Sequence, residues 1–202
     1  MITLEDMELF LELIMRPVLR KIYPSGSEVK FKFAGRYDPS AGREGFLALL
    51  GGGNLSSAFF IGNYLLAVFR LAGPTEELKA LLLDGYSDMD ARELLQSLIQ
   101  EEGNIISGLL SGTLSRILDE EVLPSSPLSV EEAFEATKWE GSLPVFWGVL
   151  GRFKRVSVGV YLIPLRPLIE RLSADESVID RALMKGHGDS RNAYRARRGL
   201  GR

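Results

Sequence analysis

Leu4, Met7, Leu11, Ile14, Val18 and Ile22 recur at helical spacing, which predicts an amphipathic helix over residues 4–22 with Thr3 as its N-cap. Pro17 falls inside that pattern and is expected to kink or divide the helix, and Tyr23-Pro24-Ser25-Gly26 ends it. Val29, Lys30, Phe31, Lys32 and Phe33 alternate with period two, the mark of a half-buried strand. After the turn Asp38-Pro39-Ser40-Ala41-Gly42, residues 45–50 read as a second strand, antiparallel to the first. Gly51-Gly52-Gly53-Asn54 lacks both a following Gly-Lys-Ser/Thr and GxGxxG spacing, so it reads as a strand-to-helix turn rather than a phosphate cradle. Asn54 then caps an expected buried helix running to Ala72, with Gly73-Pro74 as its stop.

A short helix is expected over residues 76–83, closed by Asp84-Gly85, and a long one from Asp88 to Glu121, beyond which Pro124 and Pro127 forbid continuation. Residues 130–137 are ambiguous, with a short helix favoured. Residues 144–150 and 156–163 read as two strands around a Gly151-Arg152 turn. Residues 166–172 are helical, and the helix resumes toward Met184. The element order predicts an α+β fold, helices packed against a largely antiparallel sheet. It divides into a domain over residues 1–172, a C-terminal helical extension over 173–185 and a disordered basic tail over 186–202.

Composition narrows the chemistry. The 202 residues are 46% hydrophobic and 25% charged, as in ordinary globular proteins. The absence of cysteine excludes disulfides, thiolate catalysis and cysteine-ligated zinc, and the lone His187 in the tail removes multi-histidine metal sites. No metal site is expected. The start, Met1-Ile2-Thr3-Leu4-Glu5-Asp6, has no basic signal region, and the apolar run 56–73 is broken by Asn63 and Arg70. A cytoplasmic protein without a membrane segment is expected. From Lys185 onward there are six basic residues and one acidic, so residues 1–184 hold 18 basic and 26 acidic, a net charge of −8. An acidic body repels phosphates, which argues against nucleic-acid binding, and Arg191, Arg195, Arg197, Arg198 and Arg202 read as a solvated end rather than a polyanion tether.

The long helix holds the candidate chemistry. Ser97, Glu101 and Asn104 fall within about 60° of one helix face. Leu95, Leu98, Ile99, Ile105, Ile106, Leu109, Leu110 and Ile117 are expected on the opposite, core-facing arc, while Gly108, Ser111 and Ser115 continue the polar line. Glu102 projects into the apolar arc, so either its carboxylate snorkels to an edge or the helix bends near Gly103.

The run Ser97, three residues, Glu101, two residues, Asn104, twenty-two residues, Pro127 resembles the active-site signature of the CheC/CheX/FliY family of chemotaxis phosphatases, and Gly103-Asn104-Ile105-Ile106-Ser107-Gly108 resembles the text of that family's active helix. The resemblance implies a CheC/CheX-like fold and hydrolysis of the aspartyl phosphate on a CheY-like response regulator. It casts Asn104 as the group that orients the attacking water, Glu101 as the partner of the regulator's lysine, Ser97 as auxiliary and Pro127 as structural. No cofactor is expected on this chain, with Mg2+ carried by the regulator. The family can hold two copies of the motif. Here the first helix offers Glu8, Glu12, then Met15 in place of asparagine, with Pro39 one place late, either a relic of a first site or a coincidence. Ser56, Phe60 and Asn63 echo the spacing without the carboxylate, and Asn63 is expected as a buried or capped amide. One intact copy makes the chain CheX-like, which implies a homodimer. The alternative is a non-catalytic adaptor using the same helix face on a regulator or a flagellar-switch component.

Overall fold

The structure, a computed structural model, describes residues 2–22, 29–50, 55–72, 88–153, 156–175 and 177–185. Helix α1 (Leu4–Ile22) opens as its sequence dictates: Thr3 Oγ1 accepts the Asp6 N–H and the Asp6 carboxylate accepts the Thr3 N–H, a reciprocal cap. Pro17 does not divide it. Strand β1 (Lys32–Tyr37) follows, then a 3-10 turn (Pro39–Ala41) capped by Asp38, which leads into helix α2 (Gly42–Leu49). The strand expected over residues 45–50 is therefore helical as far as Leu49, with Leu50 capping it. Phe46 and Leu50, four residues apart, are its buried positions, a helical rather than an alternating repeat.

The second correction is larger. The helix expected between Asn54 and Ala72 is a hairpin, β2 (Ser56–Ile61) and β3 (Leu65–Ala72), turning at Gly62-Asn63-Tyr64 with Gly62 at φ +55°. Asn63 is exposed at that turn, neither buried nor a cap. Its echo of the motif spacing is lost on a strand, where residues three and four apart do not share a helical face.

Helix α3 (Asp88–Leu118) is the longest element, ending three residues short of the expected Glu121 because Asp119 adopts a left-handed conformation at φ 58°. Helix α4 (Val130–Ala136) forms where the sequence was ambiguous, fixed by a capping box between Ser129 and Glu132. Strands β4 (Leu143–Phe153) and β5 (Val156–Pro164) pair antiparallel, and Gly151 and Arg152 lie inside β4 rather than in the turn expected there. Helices α5 (Arg166–Ala174) and α6 (Ser177–Lys185) close the described chain. The expected 76–83 helix, the 51–54 turn and the 186–202 tail lie outside the described residues.

Among the described residues, five strands form one sheet, antiparallel throughout, in the order β1-β4-β5-β3-β2. Side chains alternate across the sheet. Phe59, Ile61, Leu65, Ala67, Phe69 and Leu162 pack beneath α1, α3, α5 and α6, while Ala58, Leu66, Val68, Tyr161 and Ile163 pack against α2 and α4. The fold is α+β, as expected, with helices on both faces of the sheet. Among the described residues, no helix is long and apolar enough to cross a membrane.

Candidate functional site

Helix α3 lies against β2 and β3, with α1 and α6 beside it. Gly103 makes the close approach possible: a Cβ there would stand 2.6 Å from Phe59 Cε2 and 3.0 Å from Phe69 Cδ2. With Gly103 at the centre of the buried arc, the residues flanking it by two back and one forward, Glu101 and Asn104, turn away from the sheet. Both are exposed, and so is Ser97. Gln96 Nε2 donates to the Ser56 carbonyl at 2.9 Å and Arg181 Nε donates to the Ile117 carbonyl at 2.8 Å, tying the helix to β2 and to α6.

Two expected core positions are corrected. Leu98 and Ile105 are 49% and 51% exposed. Taken from Glu101, they lie only about 60° and 40° round the helix, on the outer side of the arc that Gly103 fixes. Leu95, Ile99, Ile106, Leu110 and Ile117 are buried as expected and Leu109 is partly so. Ser111 is buried and Ser115 half-buried, so the polar line ends after Gly108. Glu102 sits half-buried on the rim of an apolar groove of about 360 Å³, alongside Glu101, Leu98 and Ile105, with Ile22, Leu71 and Val158 among its walls. Of the two readings, an edge position describes it, and α3 continues through Gly103 without interruption.

The interval of twenty-two residues between Asn104 and Pro127 closes a circuit. After Asp119, the Ser115 hydroxyl donates to the Val122 carbonyl and accepts the Val122 N–H, turning the chain back. The Tyr64 hydroxyl donates to the Glu120 carboxylate, and burial together with that carboxylate pushes the phenol up to about 12. Residues 123–128 then run along the free edge of β2: the Gly62 N–H donates to the Leu123 carbonyl, the Ser125 N–H to that of Phe60, and Ala58 and Leu128 exchange bonds at 2.9 Å. Pro127 lies between the Ser125 and Leu128 contacts. Its missing N–H is not needed there, and prolines on this segment blunt the sheet edge.

The echo of the motif on α1 has another occupation. The Glu8 carboxylate accepts the Phe33 N–H at 2.8 Å and the Glu12 carboxylate accepts that of Phe31. Two carboxylates one turn apart thus hold alternate N–H groups at and just before β1, the edge strand. Met15, where an asparagine would stand, is fully buried, and Pro39 lies in the 3-10 turn. Burial pushes the Glu12 carboxyl above the ordinary carboxylate range, against the opposing pull of the Phe31 N–H and of Arg16 and Lys30. Because that raised value makes the folded state hold its proton more tightly than the unfolded chain does, ionised Glu12 costs stability as pH rises through it. Glu12→Gln keeps an acceptor for Phe31. Chemical denaturation should find the variant more stable than wild type at pH 7, with the difference vanishing as pH falls to about 4.

A carboxylate and an amide one turn apart in open water can do little alone, because solvent screens both. They become useful when another molecule covers them and excludes water. Among the described residues, no cluster of three His, Asp or Glu side chains could hold a metal ion.

An antiparallel sheet with helices on both faces, displaying polar groups on the outside of a long helix, defines an α+β domain whose candidate working surface is an exposed helix face bordered by an apolar groove. That fold is shared with FliY from Thermotoga maritima, at 11% identity over 90% of this chain and 99% of that one, with a TM-score of 0.52. A FliM–SpeE complex from H. pylori aligns at 12% identity over 90% of this chain and 96% of that one (TM-score 0.49), and CheX from Vibrio vulnificus at 14% over 79% and 98% (TM-score 0.41). No family model matches the sequence, and no curated protein does either. The FliY likeness agrees with the fold that the CheC/CheX/FliY resemblance implied.

Proposed function

We propose that this chain is a phosphatase of the CheC/CheX type, hydrolysing the aspartyl phosphate of a CheY-like response regulator that docks on α3. The observation that carries the reading is the joint exposure of Glu101 and Asn104 on the side of α3 turned away from the tight packing at Gly103. An acyl phosphate has a good leaving group, so its hydrolysis needs a positioned water more than a strong base. The Asn104 amide offers a carbonyl acceptor and N–H donors in fixed geometry and would orient that water in line with phosphorus. The Glu101 carboxylate would pair with the regulator's lysine and hold the docked geometry. Mg2+ would arrive with the regulator. Ser97 would be auxiliary, and Pro127 would keep the edge segment beside the helix.

A regulator seated over Glu101 and Asn104 also covers Leu98 and Ile105, three residues before and one residue after them on the same surface. These two side chains and the groove they line with Ile22, Leu71 and Val158 give such an interface its apolar contact, with Glu101 favouring a basic neighbour. Steady-state decay of a regulator phosphorylated with a small phosphodonor tests this. Leu98→Ala and Ile105→Ala should each raise KM about 10-fold, as loss of roughly 1.5 kcal/mol of apolar burial requires, with kcat nearly unchanged. A regulator that binds but whose decay is not accelerated would instead make this chain an adaptor.

A further inference from the structure

Across the sheet from α3, three connections meet around a cleft of about 530 Å³: the β2–β3 turn with Gly62 and Asn63, the segment after α4 with Thr137, Lys138 and Glu140, and the start of α5 with Arg166. That volume is in the range of small-molecule sites. Phe60, Leu165 and Pro167 give it apolar walls. Its polar groups converge from separate elements, as a binding site requires and a packing defect does not.

Arg166 is the fixed point. Its Nη2 donates to the Glu140 carbonyl at 2.9 Å, and it lies so close over Gly141 that a Cβ there would stand 2.7 Å from Nη2. Gly141 has φ +70°, a conformation suited to glycine, so the backbone leaves room for the guanidinium. One edge of the fork is spent on the carbonyl, and the rest is available to a ligand. Among the described residues, Lys138 forms no ion pair and the Asn63 amide makes no hydrogen bond. Lys138 and Arg166 outweigh the Glu140 carboxylate, so the lining carries +1 on a body of −8.

We propose that this cleft binds a small organic anion, its charged group held by Arg166, Lys138 and the Asn63 amide and its apolar body against Phe60, Leu165 and Pro167. The inference is independent of the reading of α3. The probes are phenyl phosphate and inorganic phosphate, titrated into the full chain by calorimetry and by amide chemical-shift mapping. Phenyl phosphate is expected to bind saturably, with shifts centred on Asn63 and Lys138, and inorganic phosphate at least 10-fold more weakly for want of an apolar body. Lys138→Ala and Arg166→Gln should each weaken phenyl phosphate about 10-fold. Should Arg166→Gln lose its fold, Lys138→Ala, an exposed change, decides the matter alone. Absence of saturable binding, shifts centred elsewhere, or affinity indifferent to Lys138→Ala overturns the proposal.

Discussion

Asn104→Ala is expected to lower phosphatase turnover by about 10²-fold or more while leaving the protein folded, the loss that follows removal of one preorganised hydrogen-bonding group from a hydrolytic site. The position is exposed and makes no core contact, so no packing is lost. Alanine is the better helix former by several tenths of a kcal/mol, so the variant should melt at or slightly above the wild-type temperature. A structural role would have the opposite signature, with lost stability and activity falling only as the folded fraction falls. The pairing of unchanged binding and Tm with lost kcat is therefore the discriminating result, and it is read from regulator decay alongside thermal denaturation.

Gly103→Val is expected to act the other way round, through stability. Its Cβ would meet the Phe59 and Phe69 rings, both fully buried and already packed edge to face with centroids 5.7 Å apart, so neither can retreat freely. Forcing extra carbon into such a contact costs about 1–3 kcal/mol, or a fall in Tm of about 2–4 °C per kcal/mol for a chain this size. Gly103→Ala should be milder, because alanine recovers about 1 kcal/mol of helix propensity against the same contact. Lifting α3 from β2 also moves Glu101 and Asn104, so kcat should fall further than the unfolded fraction explains. Thermal melts with the activity assay run well below Tm separate the two effects.

What the sequence disclosed and what it hid have physical causes. Helix α3 was legible because thirty-one residues without proline, carrying a sustained apolar stripe, admit little else. The spacing of Ser97, Glu101 and Asn104 was legible for the same reason, since all three ride on that one element. The β2–β3 hairpin was not. Both its faces are covered by helices, so Ala58-Phe59-Phe60-Ile61 and Leu65-Leu66-Ala67-Val68-Phe69 have no polar alternation to betray a strand, and an unbroken apolar run looks equally like a buried helix. The usable signal was Gly62-Asn63 midway, a turn pair whose significance the run obscured. Residues 45–50 failed the test in reverse, being too short for a period to be told apart. Leu98 and Ile105 were misplaced because periodicity locates a stripe but not its edges. Gly103 sets where the helix touches the sheet, and that rotation exposes them. The cleft holding Arg166 joins residues about 100 positions apart in the chain, which only the folded topology brings together.

On the proposed reading, α3 turns over an aspartyl phosphate belonging to another protein. The most direct measurement adds wild-type protein, at a small fraction of the regulator's concentration, to a CheY-like regulator phosphorylated in the presence of Mg2+ and follows loss of the phosphoryl group. Release of many equivalents of phosphate per molecule of this chain, faster than the regulator's own decay and abolished by Asn104→Ala, is the expected result. Phosphoryl loss at the regulator's intrinsic rate, with the complex demonstrably formed, would contradict it.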